Sequence, residues 1–237
     1  MNTALTFHRI TDKEIVDFED ITTESFIFLL NEIHDCCSSL EQTKISQPNN
    51  ISWLLTFDDG FSSDFEIVLP LLKKFKVKGL FFITTSFVGK PNYLTWDQIR
   101  NLSESGMDIG SHSINHQDML GLSRSDRINE LETSKNIKAF SFPFGRCNKQ
   151  LINEVFQTGY KYCFTSKPGS FNTHNRIFPR IALNSSMSKN EIQNILKRDK
   201  TKYLINIIMY HIRDLAKYCL GIEKYWHVRE FIHSRKI

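Results

Sequence analysis

The chain has 237 residues, enough for one large domain or one domain with a small appendage, and needs no disulfide staples to bury a core. Hydrophobic residues make up 41%, charged residues 24%, and the net charge is +4. These are the values of a soluble globular protein, and without a dense basic stripe interleaved with aromatics they indicate no nucleic-acid partner.

Strand-like and helix-like segments alternate, which predicts an α/β architecture. Ala4–His8 reads as a strand. The N-terminus lacks the basic region, apolar run and cleavage site of a signal peptide. No run reaches the roughly 18–20 apolar residues of a membrane span, so the default compartment is the cytoplasm. An amphipathic helix follows over Thr23–Ser38, with Phe26, Leu29, Leu30 and Ile33 at helical spacing. After a turn at Gln47-Pro48-Asn49-Asn50, the apolar strand Ile51–Phe57 runs into Asp58-Asp59-Gly60. A helix carrying Ile67, Val68, Leu71, Leu72 and Phe75 on one face leads through Gly79 into the strand Leu80–Thr85. Thr95 and Gln98 stand in capping-box spacing, which starts a helix at Trp96 that stops at Gly106. The strand Met107–Gly110 delivers Ser111-His112, and a helix near Asn129–Lys135 precedes the strand Ala139–Phe142, ended by Pro143. A further helix ends at Gly159 before the strand Tyr160–Thr165, and from Ser188 onward the pattern is helical. The division expected is a catalytic core over 1–187 and a helical appendage over 188–237.

Five cysteines (Cys36, Cys37, Cys147, Cys163 and Cys219) are odd in number and contain no CxxC pair, so neither a disulfide framework nor a zinc knuckle is indicated. The polar residues at strand ends carry more information. His8, Asp58-Asp59, His112 to His116 and the Phe142-Pro143-Phe144-Gly145 turn each follow an expected strand. In α/β barrels the loops after the strands' C-terminal ends form one rim, where groups from different strands converge. Asp-Gly alone is an ordinary turn signal. A His-x-x-x-His on a helical turn puts two imidazoles on one face, as metal ligation requires. The combination, in this order and at these strand ends, points to a metal site.

The strings Thr56-Phe57-Asp58-Asp59-Gly60-Phe61, Ser111-His112-Ser113-Ile114-Asn115-His116 and Phe142-Pro143-Phe144-Gly145 resemble the motifs of the polysaccharide deacetylase family, the NodB-homology carbohydrate esterases. The resemblance runs from about Ala4 to Leu183. It implies a distorted (β/α)7 barrel and removal of acetyl groups from N- or O-acetylated sugars. Carried onto matching positions, Asp58 is the general base, while Asp59, His112 and His116 hold one divalent ion. One oxygen and two nitrogen ligands suit Zn first, with Co, Ni or Fe as alternatives. The ion polarises the acyl carbonyl and acidifies the water that Asp58 deprotonates, and the turn at Phe144 matches where the family supplies an oxyanion N–H.

The sequence departs from the family pattern in three places. Ser141 stands where the third motif usually carries an arginine, and Arg180, in the last strand-like segment, is the proposed substitute. The stretch before Ala139 is several residues shorter than in relatives. The Leu-x-His motif that supplies the leaving-group acid has no counterpart in the core after Phe144. In a closed barrel the first and last strands are neighbours, so His8 can reach the same rim, and some exopolysaccharide deacetylases begin with a similar Tyr/Phe-His strand. His8 is therefore taken as the general acid, at a pKa suited to the task. His211 sits in a helical run and is read as structural.

In the appendage, Leu204, Ile207, Ile208, Ile212, Leu215 and Leu220 lie beside Lys202, Arg213 and Lys217, with Lys224, Trp226, Arg229, Phe231, Arg235 and Lys236 beyond. The pattern fits an amphipathic helix packed on the barrel, or peripheral contact with an anionic inner membrane face where a glycan precursor is assembled. The expected partner is an acylated sugar or glycan precursor. Competing expectations are a silent glycan-binding relative and an O-acetyl or formyl hydrolase. Oligomeric state is left open.

Overall fold

The computed structural model describes residues 2–41, 52–131, 137–172 and 174–234. The turn expected at 47–50, the helix end expected at 132–135, and Arg235 and Lys236 lie outside them, as does the side chain of Lys202.

Strand β1 (Asn2–Phe7) is followed by two short strands, β2 (Ile10–Thr11) and β3 (Ile21–Thr22), which pair with each other in parallel. Helix α1 (Thr23–Ile33) starts where the Thr22 hydroxyl accepts from Ser25 N. It ends earlier than its apolar spacing predicted. The chain passes through a 3-10 turn at His34–Cys36, and Ser38 N then donates to Trp53 O (2.9 Å), drawing this segment onto the sheet. After β4 (Ser52–Phe57), a π-helical turn at Asp64–Val68 runs into α2 (Leu69–Phe75). Then come β5 (Gly79–Ile83), α3 (Trp96–Glu104) behind the expected Thr95–Gln98 capping box, and β6 (Asp108–Ser111). The barrel continues with α4 (Arg124–Leu131), β7 (Ala139–Ser141), α5 (Lys149–Gln157), β8 (Tyr162–Phe164), β9 (Ile177–Phe178) and β10 (Arg180–Ala182). Helices α6 (Lys189–Leu196), α7 (Lys200–Leu220) and α8 (Ile222–Ser234) follow.

All sheet pairings among the eight larger strand segments are parallel, in the order β10-β1-β4-β5-β6-β7-β8-β9. The two ends of that order, β9 and β10, are separated only by Pro179. They form one bent stave: its first half pairs with β8 (Phe164 opposite Phe178) and its second with β1 (Ala4 opposite Arg180). Proline has no N–H to give the ladder, so the pairing changes partner there. Seven staves therefore close into a distorted (β/α)7 barrel of the NodB type.

Side chains alternate between the two faces of each strand. Leu5, Phe7, Leu55, Phe57 and Phe81 pack with Phe26, Leu29 and Leu30 of α1 and with Leu72 of α2 in the layer between sheet and helices. Ala4, Leu54, Leu80, Phe82, Phe164 and Phe178 form a separate buried cluster on the other parity. Thr6, Thr56 and Asp58 share this second parity and are buried, so the alternation turns polar toward the strands' C-terminal ends. Helix α6 places Ile192 and Ile195 in the same core as α1 and so packs on the barrel wall. Helices α7 and α8 pack on each other and reach over the rim.

Candidate active site

The Asp-Asp-Gly turn leaves β4 with two successive residues in the left-handed region, Asp59 (φ 74°) and Gly60 (φ 78°). Aspartate tolerates this conformation better than most residues, and glycine adopts it freely. Asp58 consequently stays on the barrel-interior parity while Asp59 swings toward β6. Ser113 (φ 66°), His116 (φ 55°) and Phe144 (φ 58°) are also left-handed, so most of the site's loops carry this strain.

His112 follows β6, and its Nδ1 lies 2.8 Å from Ser141 O. Hydrogen bonding there puts the proton on Nδ1 and leaves the Nε2 lone pair free. Burial pushes the His112 pKa down to about 4, so the ring is neutral, the form that binds metals. His116 is set by a bend whose amides are held by one carboxylate. Glu130 of α4 accepts from Ile114 N (3.1 Å), Asn115 N (2.8 Å) and Asn115 Nδ2 (2.7 Å). Nothing in the sequence pattern marked Glu130, which reads as one more polar residue on a surface helix.

Ligand atoms of Asp59, His112 and His116 all lie within 4.8 Å of one another. The Nε2 atoms of His112 and His116 are 3.4 and 3.2 Å from Asp59 Oδ1, which is buried and has no hydrogen-bond partner among the described residues. Burial works against the Asp59 charge, yet His116, His8 and His112 hold its carboxyl well below the usual range. A converging anion and two imidazole lone pairs, with an oxygen lacking a partner, is a donor set that fits a divalent cation.

Asp58 sits beneath this triad and is fixed from β10, two staves away across β1. Arg180 Nη1 donates to Asp58 Oδ1 (2.7 Å) and Nη2 to Oδ2 (2.8 Å), a bidentate pair between residues 122 positions apart. The remaining donors go to Ser141 Oγ (2.7 Å), Thr56 Oγ1 (3.2 Å) and Thr165 O (3.3 Å), so all five guanidinium N–H groups are used. Arg180 is fully buried above the rings of Phe82 and Phe164. Ser141 is small enough to leave room for that guanidinium and bonds to it. Burial alone raises the Asp58 pKa, but Arg180 and His112 outweigh it and the carboxyl ends below its ordinary value. Nearby Asp64, on the π-helical turn, goes the other way. Burial and the charges of Asp59 and Asp58 push it well above the carboxylate range.

His8, at the end of β1, lines the same cavity as Asp58, Asp59, His112 and His116. Its Nε2 is 3.4 Å from Glu19 Oε2, and its buried Nδ1 has no partner among the described residues. Glu19 is brought there by the β2–β3 pairing and by Asp20, which takes Arg9 Nε (2.9 Å) and the amides of Val16 and Asp17. Burial opposes protonation of His8, but Glu19, Asp59 and Asp58 raise its pKa above the usual histidine value.

The cavity holds about 120 Å³. Its far wall comes from α7 and α8, through Tyr210, Arg213, Lys217, Trp226 and Arg229. Lys217 Nζ donates to Phe144 O (2.6 Å), tying α7 to the turn after β7. Arg213, Lys217, Trp226 and Arg229, basic and aromatic residues of helices expected to pack on the barrel or to meet a membrane, thus line the pocket. Helical spacing shows that two faces differ, but not which one turns inward. His211 is exposed and lies outside the cavity lining.

A parallel barrel thus gathers one carboxylate and two imidazoles at its C-terminal rim, a donor set that could hold a divalent ion. Residues 46–163 match the family model for polysaccharide deacetylase, and the chain belongs to this family. It is 30% identical over 142 residues to YxkH of Bacillus subtilis (strain 168), covering 56% of this chain and 51% of that protein. It is 24% identical over 176 residues to the poly-beta-1,6-N-acetyl-D-glucosamine N-deacetylase of Staphylococcus aureus, covering 64% and 59%. The chain therefore spans about half the length of the curated relatives it matches. Deacetylase PplD of Streptococcus pyogenes, solved in complex with acetate, shares the fold, with a TM-score of 0.73 at 23% identity over 82% of this chain and 96% of that one.

Proposed function

We propose that the chain hydrolyses an N-acyl group, acetyl first, from a sugar in a cell-surface glycan or its precursor. The observation that carries this reading is the placement of Asp58, held ionised by Arg180, directly beside the Asp59–His112–His116 triad. A divalent ion held by these three residues, zinc first, would polarise the acyl carbonyl and acidify a water molecule. Asp58 takes the proton of the attacking water, and its bidentate anchor keeps the acceptor oxygens in one orientation. The amide N–H of Phe144 donates to the oxyanion that develops on the carbonyl. His8 delivers a proton to the departing nitrogen as the C–N bond breaks, and Glu19 favours the protonated imidazole that this step needs. The products are the free amine and the carboxylate.

A silent glycan-binding relative has no need of a base so fully supported from another strand. Metal analysis combined with acetate and formate release from a panel of acylated sugars tests the proposal. The expected result is one bound divalent ion and acetate release from an N-acetyl sugar. Asp58→Asn should keep the ion and lose turnover by roughly 10²–10⁴-fold. An Asp58→Asn protein that still turns over would remove Asp58 from the mechanism.

No described helix is long and apolar enough to cross a membrane. We place the chain in the cytoplasm. The exposed apolar residues Leu204, Ile208, Ile212 and Leu215 of α7 support peripheral contact with a lipid surface. Sedimentation with anionic vesicles, lost in a double Ile208→Ser, Leu215→Ser variant, tests that contact.

A further inference from the structure

The wall that α7 and α8 give to the pocket is cationic, and its charges are incompletely paired. Arg229 Nη1 shares Glu19 with His8 at 3.6 Å, and its guanidinium lies over the rings of Phe18 (4.0 Å) and Trp226 (4.8 Å). Among the described residues no carboxylate comes within 4.0 Å of Arg213 or Lys217. Asp214 also lines the cavity without reaching either of them at that distance. The ammonium of Lys217 is satisfied at Phe144 O, a neutral acceptor. Trp226 adds a further donor, because its buried Nε1 has no acceptor among the described residues. Burial, with Arg229 and Arg146 beside it, pushes Lys217 down to about 8 despite Glu19 and Asp214. Such crowding of cations and a spare N–H costs stability unless something negative completes it.

Size limits what that can be. A cavity of roughly 150 Å³ takes a benzene ring. At about 120 Å³ this pocket has room for one sugar ring or less, so further units of a longer glycan would lie outside it. The same lysine touches the turn that bears the oxyanion donor, so the cationic wall and the scissile bond lie within one or two sugar units.

We infer that Arg213, Lys217 and Arg229 bind an anionic substituent, so that the substrate is an N-acyl sugar bearing a carboxylate or phosphate on the same or the adjoining ring. This rests on the reading of the chain as a sugar N-deacylase and narrows its substrate class. The wall selects the substrate by charge, and the rim does the chemistry.

The test is calorimetric titration of metal-loaded Asp58→Asn protein with methyl N-acetylhexosaminides that differ only in bearing a hydroxyl, carboxylate or phosphate at position 3 or 6. At least one anionic member should bind roughly 10-fold tighter than the neutral parent, with an advantage that shrinks as salt screens it. Arg213→Gln and Lys217→Gln should each remove most of that advantage. The thermal shift of the wild-type protein with the same compounds gives a second readout if a variant folds poorly. Whichever anion wins identifies the source, carboxylate or phosphate. A neutral parent that binds as tightly as every anionic member overturns the inference, as does an advantage that survives both substitutions. Acetate release by the wild-type enzyme is scored separately. Release without anion preference sinks the wall and leaves the hydrolase, and anion-selective binding without release does the reverse.

Discussion

Two kinds of cation serve the candidate site, one beneath Asp58 inside the barrel and the others on the α7–α8 wall of the pocket, and the fold treats them in opposite ways. Below, Arg180 is sealed inside the barrel with every N–H used, two of them on Asp58. Above, Arg213 and Lys217 approach the same space without a carboxylate within 4.0 Å among the described residues. The lower cation completes a protein anion. The upper ones are left for an anion that the protein does not supply. Removing a charge of the first kind should damage the fold and the base together, whereas removing one of the second kind should alter selection.

Arg180→Met is the sharpest way to break this contrast. It leaves Asp58 buried without its counter-charge, and the expected loss is about 3–5 kcal/mol of stability, read by denaturant unfolding, together with most of the turnover. A stable Arg180→Met enzyme with full activity would put the lower arginine in the same class as the upper ones. His116→Ala should abolish stoichiometric metal uptake by elemental analysis, since only two donors remain. Glu130→Gln loosens the Ile114–Asn115 amides that aim His116, and should weaken metal affinity roughly 10-fold while the melting temperature moves little.

The smallest effect is a pH dependence. Lys217 titrates near 8 in the folded chain and at its ordinary value near 10.5 when unfolded. Below about pH 8 both states hold the proton, and the folded state bears the cost of the buried charge. Between those values the unfolded chain binds more protons, so this residue makes stability rise with pH. Lys217→Met should flatten that rise in melting temperature measured across pH 8 to 10.5. An unchanged slope would show that the ammonium is well solvated.

The parts of the site legible in the sequence are those written in short strings. Asp58-Asp59-Gly60 and His112 to His116 each sit within a few residues of a strand end, so spacing and turn chemistry locate them. The α/β class followed from alternating segments for the same local reason, and the barrel was implied by the family resemblance. Arg180 could be named only because Ser141 left a gap in the family pattern, and its contact with Asp58 spans 122 positions. Glu130 and Glu19 gave no signal, since each acts through a loop folded back on it. The appendage was legible as amphipathic helices that pack on the barrel or meet a membrane, but which residues face the pocket was not. A period of 3.6 residues separates two faces without saying which neighbour each one meets.

Pro179 has a consequence for how such a protein can be encoded. Because the bent stave it creates is shared between β8 and β1, the ring has no privileged beginning. The constellation belongs to the circle of staves and not to their order of synthesis, which is how the first strand can bring His8 and the last Arg180 to the neighbourhood of Asp58.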